Sequence, residues 1–126
     1  MKKILITGIA GLLGSRLADW IIDNTKCEVV GIDDLSGGYK EYVNKKDKFF
    51  KLNLNDLDSL KKIFNDEKFD IVYHFAAYAA EGLSPFIRKF NYENNLIASS
   101  NLITCSIENN IERFIFASSM AVYGNK

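Results

Sequence analysis

The sequence predicts an α/β fold: a doubly wound parallel sheet of about five strands. Three observations predict it. Strand-like and helix-like segments alternate along the whole chain, the pattern of right-handed crossovers. The strand-like runs are continuously apolar, as strands covered on both faces are. A glycine-rich turn joins the first such run directly to the first helical one.

The elements follow in order. "KKILIT" (2–7) is a short apolar run. From Leu13 to Asn24, the residues Leu13, Leu17, Trp20 and Ile21 recur on one helical face. "CEVVGID" (27–33) is a second strand, ended by the turn-rich "DDLSGG". "KFFKLNL" (48–54) is a shorter third strand. Asp56 is placed to cap a helix that carries Leu57, Leu60 and Phe64 on one side. "FDIVYHFAA" (69–77) is the fourth strand. Pro85, the only proline, sits in a loop before a long helix over 86–109. That helix shows Leu96, Ser99, Ser100, Ile103 and Ile107 at helical spacing, and "ENN" (108–110) stops it. "ERFIFAS" (112–118) is the fifth strand. Repeats, low-complexity tracts and internal linkers are absent from the sequence, so residues 1–126 read as one domain.

Composition narrows the function. The 126 residues are 48% hydrophobic and 25% charged, an ordinary globular balance with room for one core. Sixteen basic and sixteen acidic side chains cancel, which leaves no electrostatic footprint for nucleic acid. The apolar stretch near the amino terminus is too short for a signal peptide, and no stretch approaches a membrane span. Cys27 and Cys105 lie far apart without metal-type spacing, and we expect two reduced thiols in a cytoplasmic protein.

"TGIAGLLG" (7–14) places glycines at 8, 11 and 14, after a strand and before a helix. Gly8 permits a tight turn, Gly11 lets main chain approach a pyrophosphate, and Gly14 allows close packing. The helix N-terminus offers free N–H groups and partial positive charge to phosphates. Asp33, with Asp34 beside it, follows the second strand, where a carboxylate can accept both ribose hydroxyls of an adenosine. It would also repel a 2′-phosphate: two unit charges ~4 Å apart at an effective dielectric of ~20 cost roughly 4 kcal/mol, which favours NAD over NADP. The plainer reading is that the two aspartates only begin a turn.

With "TGIAGLLG", "GIDDLSGG", "HFAA", "NYENN" and "FIFASSMAVYG" in this order, the chain resembles the extended short-chain dehydrogenase/reductase family. It looks most like the NAD-dependent epimerase/dehydratase branch that acts on nucleotide sugars, UDP-glucose 4-epimerase-like proteins in particular. The resemblance implies a Rossmann-type sheet of order 3-2-1-4-5, incomplete at its carboxyl end. It implies NAD as cofactor, bound along the turn residues Gly8, Ile9, Ala10, Gly11, Leu12, Leu13 and Gly14. Asp33 matches the ribose-binding acid, and Asp34 and Leu35 flank the adenosine. Asn53 stands where the family usually has an Asp on the adenine amine, and an Asn carbonyl still accepts, uncharged. Leu54 supplies backbone beside it. Phe75, Ala76 and Ala77 match the wall along the cofactor, Asn95 a helix asparagine that stabilises the site, and Ser118 the end of the fifth strand. Ser119 matches the Ser/Thr that bonds the substrate hydroxyl, the one catalytic position the match supplies. Ala79 falls where some epimerases have a cofactor-contacting lysine.

Other residues read more plainly. His74, the only histidine, is expected to pack at a strand end, and Tyr123 to be structural. Tyr42 and Lys46 have Tyr-x-x-x-Lys spacing by chance, in the turn after the second strand. The family's own Tyr-x-x-x-Lys pair, in which the lysine lowers the pKa of a tyrosine base, is expected after the fifth strand, beyond Lys126. The chain alone is then expected to be inert, with an orphan helix face at 86–109 through which family members dimerise. A non-catalytic NAD-sensing module and a purely structural α/β domain are the alternatives.

Overall fold

In the computed structural model, described over residues 1–125, five strands form one parallel sheet of order β3-β2-β1-β4-β5. They are β1 (Lys3–Thr7), β2 (Glu28–Asp33), β3 (Lys48–Lys51), β4 (Ile71–His74) and β5 (Arg113–Phe116). The expected fold class and strand order are those observed. Thr7 pairs with Ile32 on one side and His74 on the other, so the carboxyl ends of the three central strands are level. That shared rim is where ligands of open parallel sheets gather.

Successive side chains of β1 point to opposite faces. Ile4 and Ile6 pack with Val29 beneath α1 (Leu12–Asn24), against Ala18 and Ile21. Leu5 packs with Val30, Ile32 and Val72 on the other face, beneath Leu60 and Phe64 of α2 (Leu57–Glu67). Leu102 and Cys105 come to the same layer from the last long helix. Phe64 and Leu102 are fully buried, each worth roughly 1.5–3 kcal/mol of hydrophobic stabilisation. The Asp56 side chain caps α2 by accepting the Ser59 N–H at 3.2 Å, as its position in the sequence suggests.

The expected strands are trimmed at their ends. Residues 52–54 and 75–77 leave the sheet after β3 and β4, and residues 117–118 after β5. These apolar segments run past the rim instead of extending the ladder. One helix face also differs from expectation. On α1, Leu13 (65% exposed) and Trp20 (59%) face outward, and the sheet is met by Gly14, Ser15, Ala18 and Ile21. Small residues let the helix lie close to the turn that precedes it.

The long helical run spans 88–108 and has three parts: α3 (Arg88–Asn91), a π-helical segment (Tyr92–Ile97) and α4 (Ala98–Glu108). Ala98, Ser99, Leu102, Cys105 and Ser106 are its buried side. Of the five residues at helical spacing only Ser99 is on that side; Leu96, Ile103 and Ile107 are exposed, Ile107 at 72%. An apolar stripe thus runs along the outer face of the helix, as the expected orphan face required.

Candidate functional site

Three chain crossings meet at the level rim. The first is the glycine turn. Gly8 has φ +72°, a left-handed conformation, and a Cβ there would lie 2.8 Å from Ala76 N. A Cβ at Gly14 would overlap the Gly8 carbonyl oxygen, so helix and turn touch main chain to main chain. Gly11 differs: the only atom near an added Cβ is Gly8 O, at 3.2 Å, and Gly11 faces the groove. α1 starts at Gly11 with no side-chain cap and no acidic residue in its first turn. Its first-turn N–H groups have no side-chain acceptor, and Gly11 at the helix start lines the groove, an arrangement suited to an anion.

The second crossing is the end of β2. The Asp33 carboxylate accepts Ala10 N–H at 3.0 Å through one oxygen and Leu35 N–H at 2.9 Å through the other. The acid is thereby fixed against the glycine turn, and each oxygen keeps a further lone pair for the groove. Leu35 adopts φ 64°, an uncommon left-handed state for a branched residue, which turns the chain sharply after the two aspartates. Asp34 accepts both the N–H and the hydroxyl of Ser36. Gly38 then lies against the Ala10 main chain, where a Cβ would come within 2.7 Å, and Tyr39 N–H donates to Ala10 O.

The third crossing is the end of β4. Phe75 N–H donates to Thr7 O, Ala76 N–H to the Thr7 hydroxyl, and Asn95 clamps Tyr78 by accepting its N–H at 2.7 Å and donating to its carbonyl at 2.9 Å. Together the crossings enclose one groove. Gly8, Gly11, Asp33, Asp34, Asn53 and Leu54 line it from one side, and Phe75, Ala76 and Ala77 from the other.

The remaining residues singled out in the sequence lie behind or beyond this groove. The side chains of Ile9 and Ala10 are fully buried in the core beneath the turn, and Ala10 N–H is already spent on Asp33. Leu12 and Leu13 present exposed side chains and, like Gly14, are not among the residues that line the groove. Leu35 packs against the α1 layer and Asn95 acts through Tyr78. Ser118 and Ser119 are exposed past β5; Ser119 caps the short turn Met120–Tyr123 by accepting Ala121 N–H, and Tyr123 is exposed. Tyr42 stacks edge-on with Tyr39 in the loop after β2, in agreement with a chance spacing to Lys46.

Sequence reasoning missed eight lining residues: Ile32, Ser36, Gly37, Gly38, Leu52, Tyr78, Asn94 and Ala98. The two glycines directly after the aspartates were a usable signal. Tyr78 and Asn94 had none, because the first is aimed by Asn95 and the second by the π segment. His74 is buried at the strand end as expected, between Thr7 and Ser99. Burial pushes its pKa down to about 4, so the imidazole is neutral near pH 7.

Comparison with known proteins points the same way. Residues 4–126 match the family model described as the NAD dependent epimerase/dehydratase family. The chain is 31% identical to a UDP-glucose 4-epimerase of Drosophila melanogaster over 96% of its own length and 38% of that protein's. Among solved structures, the UDP-glucose 4-epimerase of Thermotoga maritima, determined with UDP-glucose, superposes with a TM-score of 0.93 at 32% identity. It covers 98% of this chain, which spans 40% of that one. The UDP-glucose 4-epimerase of Thermus thermophilus in complex with NAD gives a TM-score of 0.88 at 30% identity over 93% of this chain and 37% of its own. The chain therefore spans about two fifths of the length of these relatives.

Proposed function

We propose that this chain, which belongs to the NAD dependent epimerase/dehydratase family, supplies the NAD-binding part of an enzyme that epimerises a UDP-sugar at carbon 4. The observation that carries this reading is the juxtaposition of an uncapped helix N-terminus with a fixed aspartate on one groove. Diphosphate fits the first and an adenosine ribose the second.

The residues present fit the dinucleotide. Gly11 leaves space where any side chain would enter the groove, and the first-turn N–H groups of α1 would receive the diphosphate. Asp33 would accept the ribose hydroxyls through its free lone pairs, and its charge, backed by Asp34, disfavours a 2′-phosphate. Asn53 and Leu54 would border the adenine; Phe75, Ala76 and Ala77 would form the wall beyond it. NAD when bound supplies a hydride acceptor and donor for transient oxidation at a sugar carbon.

The chain's own contribution is to hold and orient the cofactor and keep water from one side of it. Ser119, at the carboxyl rim of the sheet, is proposed to bond a substrate hydroxyl, with Ser118 beside it. A Tyr-x-x-x-Lys pair is not among the groove residues, and Tyr42 is exposed on a loop. We therefore do not assign proton transfer to Tyr42 and Lys46, and take cofactor binding as the part of the reaction that this groove performs. The exposed stripe of Leu96, Ile103 and Ile107 is proposed as the homodimer face. The sensing-module alternative gains no observation of its own.

The test is to incubate the protein that carries this chain with NAD and UDP-glucose and to resolve the sugar nucleotides by chromatography. UDP-galactose formation supports the reading. Tight NAD binding without conversion of any UDP-hexose would refute the epimerase assignment.

A further inference from the structure

His74 is the chain's only histidine, and neither ring nitrogen faces the groove. Nδ1 lies 2.6 Å from the Thr7 hydroxyl and Nε2 lies 2.7 Å from the Ser99 hydroxyl. The protons in this contact set can be assigned one by one. The Ser99 hydroxyl is 2.6 Å from the Asn95 carbonyl, which only accepts, so Ser99 donates there. Its oxygen is then an acceptor toward His74, so Nε2 carries the ring proton. A neutral imidazole leaves Nδ1 bare, so the Thr7 hydroxyl donates to it. The Thr7 oxygen in turn accepts Ala76 N–H at 3.2 Å.

The chain of bonds thus runs in one direction, from Ala76 N–H through Thr7, His74 and Ser99 to the Asn95 carbonyl. Asn95 closes it. Its amide holds Tyr78 at both main-chain groups and donates also to Asn91 Oδ1 at 2.6 Å. Every polar atom in the ring is partnered, and no second direction satisfies them all. The ring encircles Ala76–Tyr78, the segment that walls the groove opposite Asp33. It fixes this wall at Ala76 from β1 and at Tyr78 from the π segment, and His74 joins the two anchors.

We infer that His74 is a positioning residue: its neutral Nε2–H tautomer ties the glycine-turn strand to the π segment and so sets the cofactor-facing wall at Ala76–Tyr78. The inference rests on the cofactor reading above. A merely structural role would lower the melting temperature and leave NAD affinity unchanged at temperatures where the protein stays folded. A positioning role moves affinity as well, because the two anchors of the wall lose the tie that sets them relative to each other.

The experiment has two arms on the purified protein. Nitrogen-15 NMR of the single imidazole, on the unmutated protein, reads the tautomer; a pyrrole-type Nε2 and a pyridine-type Nδ1 are expected, unchanged from about pH 8 to about pH 5. Calorimetric titration with NAD then compares Ser99→Ala with Ser99→Thr, well below their melting temperatures. Loss of one buried hydrogen-bond partner should weaken binding about tenfold in Ser99→Ala, and the Thr hydroxyl should restore it. An Nδ1–H tautomer, or a folded Ser99→Ala that binds NAD like the unmutated protein, overturns the inference. The NMR arm stands whether or not Ser99→Ala folds. Absence of NAD binding by the unmutated protein would instead overturn the cofactor reading, and the positioning role with it.

Discussion

The three glycines of the turn are indistinguishable in sequence, yet the structure separates them, and substitution by alanine should do the same. At Gly8 the φ of +72° costs an alanine about 1–2 kcal/mol, and its Cβ would sit 2.8 Å from Ala76 N. Backbone overlap of that kind adds roughly 1–3 kcal/mol. Gly8→Ala should therefore lose about 2–5 kcal/mol, a large share of the ~5–15 kcal/mol that holds a domain together. At Gly14 the gain in helix propensity, ~1 kcal/mol, is outweighed because the added Cβ meets main chain: Gly8 O, Gly8 C and Ile9 Cα. Gly11 has an extended backbone, φ −87° and ψ 176°, that any residue adopts, and its one near contact is Gly8 O at 3.2 Å. Gly11→Ala should cost under ~1 kcal/mol in stability, but its methyl group enters the groove. Urea unfolding and NAD titration of the three variants read the two effects apart. Gly11→Ala is expected to keep its urea midpoint nearly unchanged and lose more than about tenfold in NAD affinity, ~1.4 kcal/mol. A Gly11→Ala variant with unaltered NAD affinity, or a Gly8→Ala variant as stable as the parent, would refute the reasoning.

Acid should destabilise the protein in a defined window. His74 is held neutral down to about pH 4 in the fold but titrates near 6.5 when unfolded, so stability falls as pH drops from about 6.5 toward 4. The loss is roughly 3 kcal/mol and is measurable by urea unfolding across that range. Asp47 acts in the opposite sense: its carboxylate oxygens are buried without a partner, and burial pushes its pKa up to about 6. Its favourable contribution exists at low pH and is lost as pH rises through 6. Asp47→Asn should raise stability at neutral pH and make the acid-side loss steeper; a flatter profile would contradict both assignments. Glu67 is nearly buried between Lys3 and Lys48, and those lysines hold its carboxyl below the usual range against the opposing effect of burial. Glu67→Gln should lower stability by about 1–2 kcal/mol in chemical denaturation, less than for a fully buried pair because both lysines reach solvent. Ile107→Glu, on the outer helix face proposed to pair two copies, should change monomer stability by less than about 0.5 kcal/mol and, on that proposal, leave only monomer in sedimentation analysis.

Much of this molecule was legible before its structure. Five apolar runs, each followed by turn chemistry or a helical period, specify the parallel sheet, and the glycine turn with Asp33 specifies the groove between its central strands. The strand ends were not legible, because Leu54 and Phe75–Ala77 are apolar for the sake of the groove and not the ladder. The helix face at Leu13 and Trp20 was misread for a different reason. Periodicity detects an apolar stripe but says nothing about what covers it, and small residues such as Gly14, Ala18, Ala98 and Ser99 make the actual contact. The π segment has no sequence period of its own. The bonds among Thr7, His74, Ser99 and Asn95 join residues up to 67 positions apart, and only the fold brings them together.

The central claim is that a dinucleotide lies across the ends of β1 and β2 with its adenosine ribose on Asp33. Calorimetric titration of the protein and of Asp33→Asn with NAD and with NADP tests it most directly. The expected result is saturable NAD binding, NADP weaker by at least about a hundredfold, and a gap that largely closes in Asp33→Asn. Equal affinity of the unmutated protein for the two dinucleotides, or no heat of binding with NAD at millimolar concentration, would contradict the account.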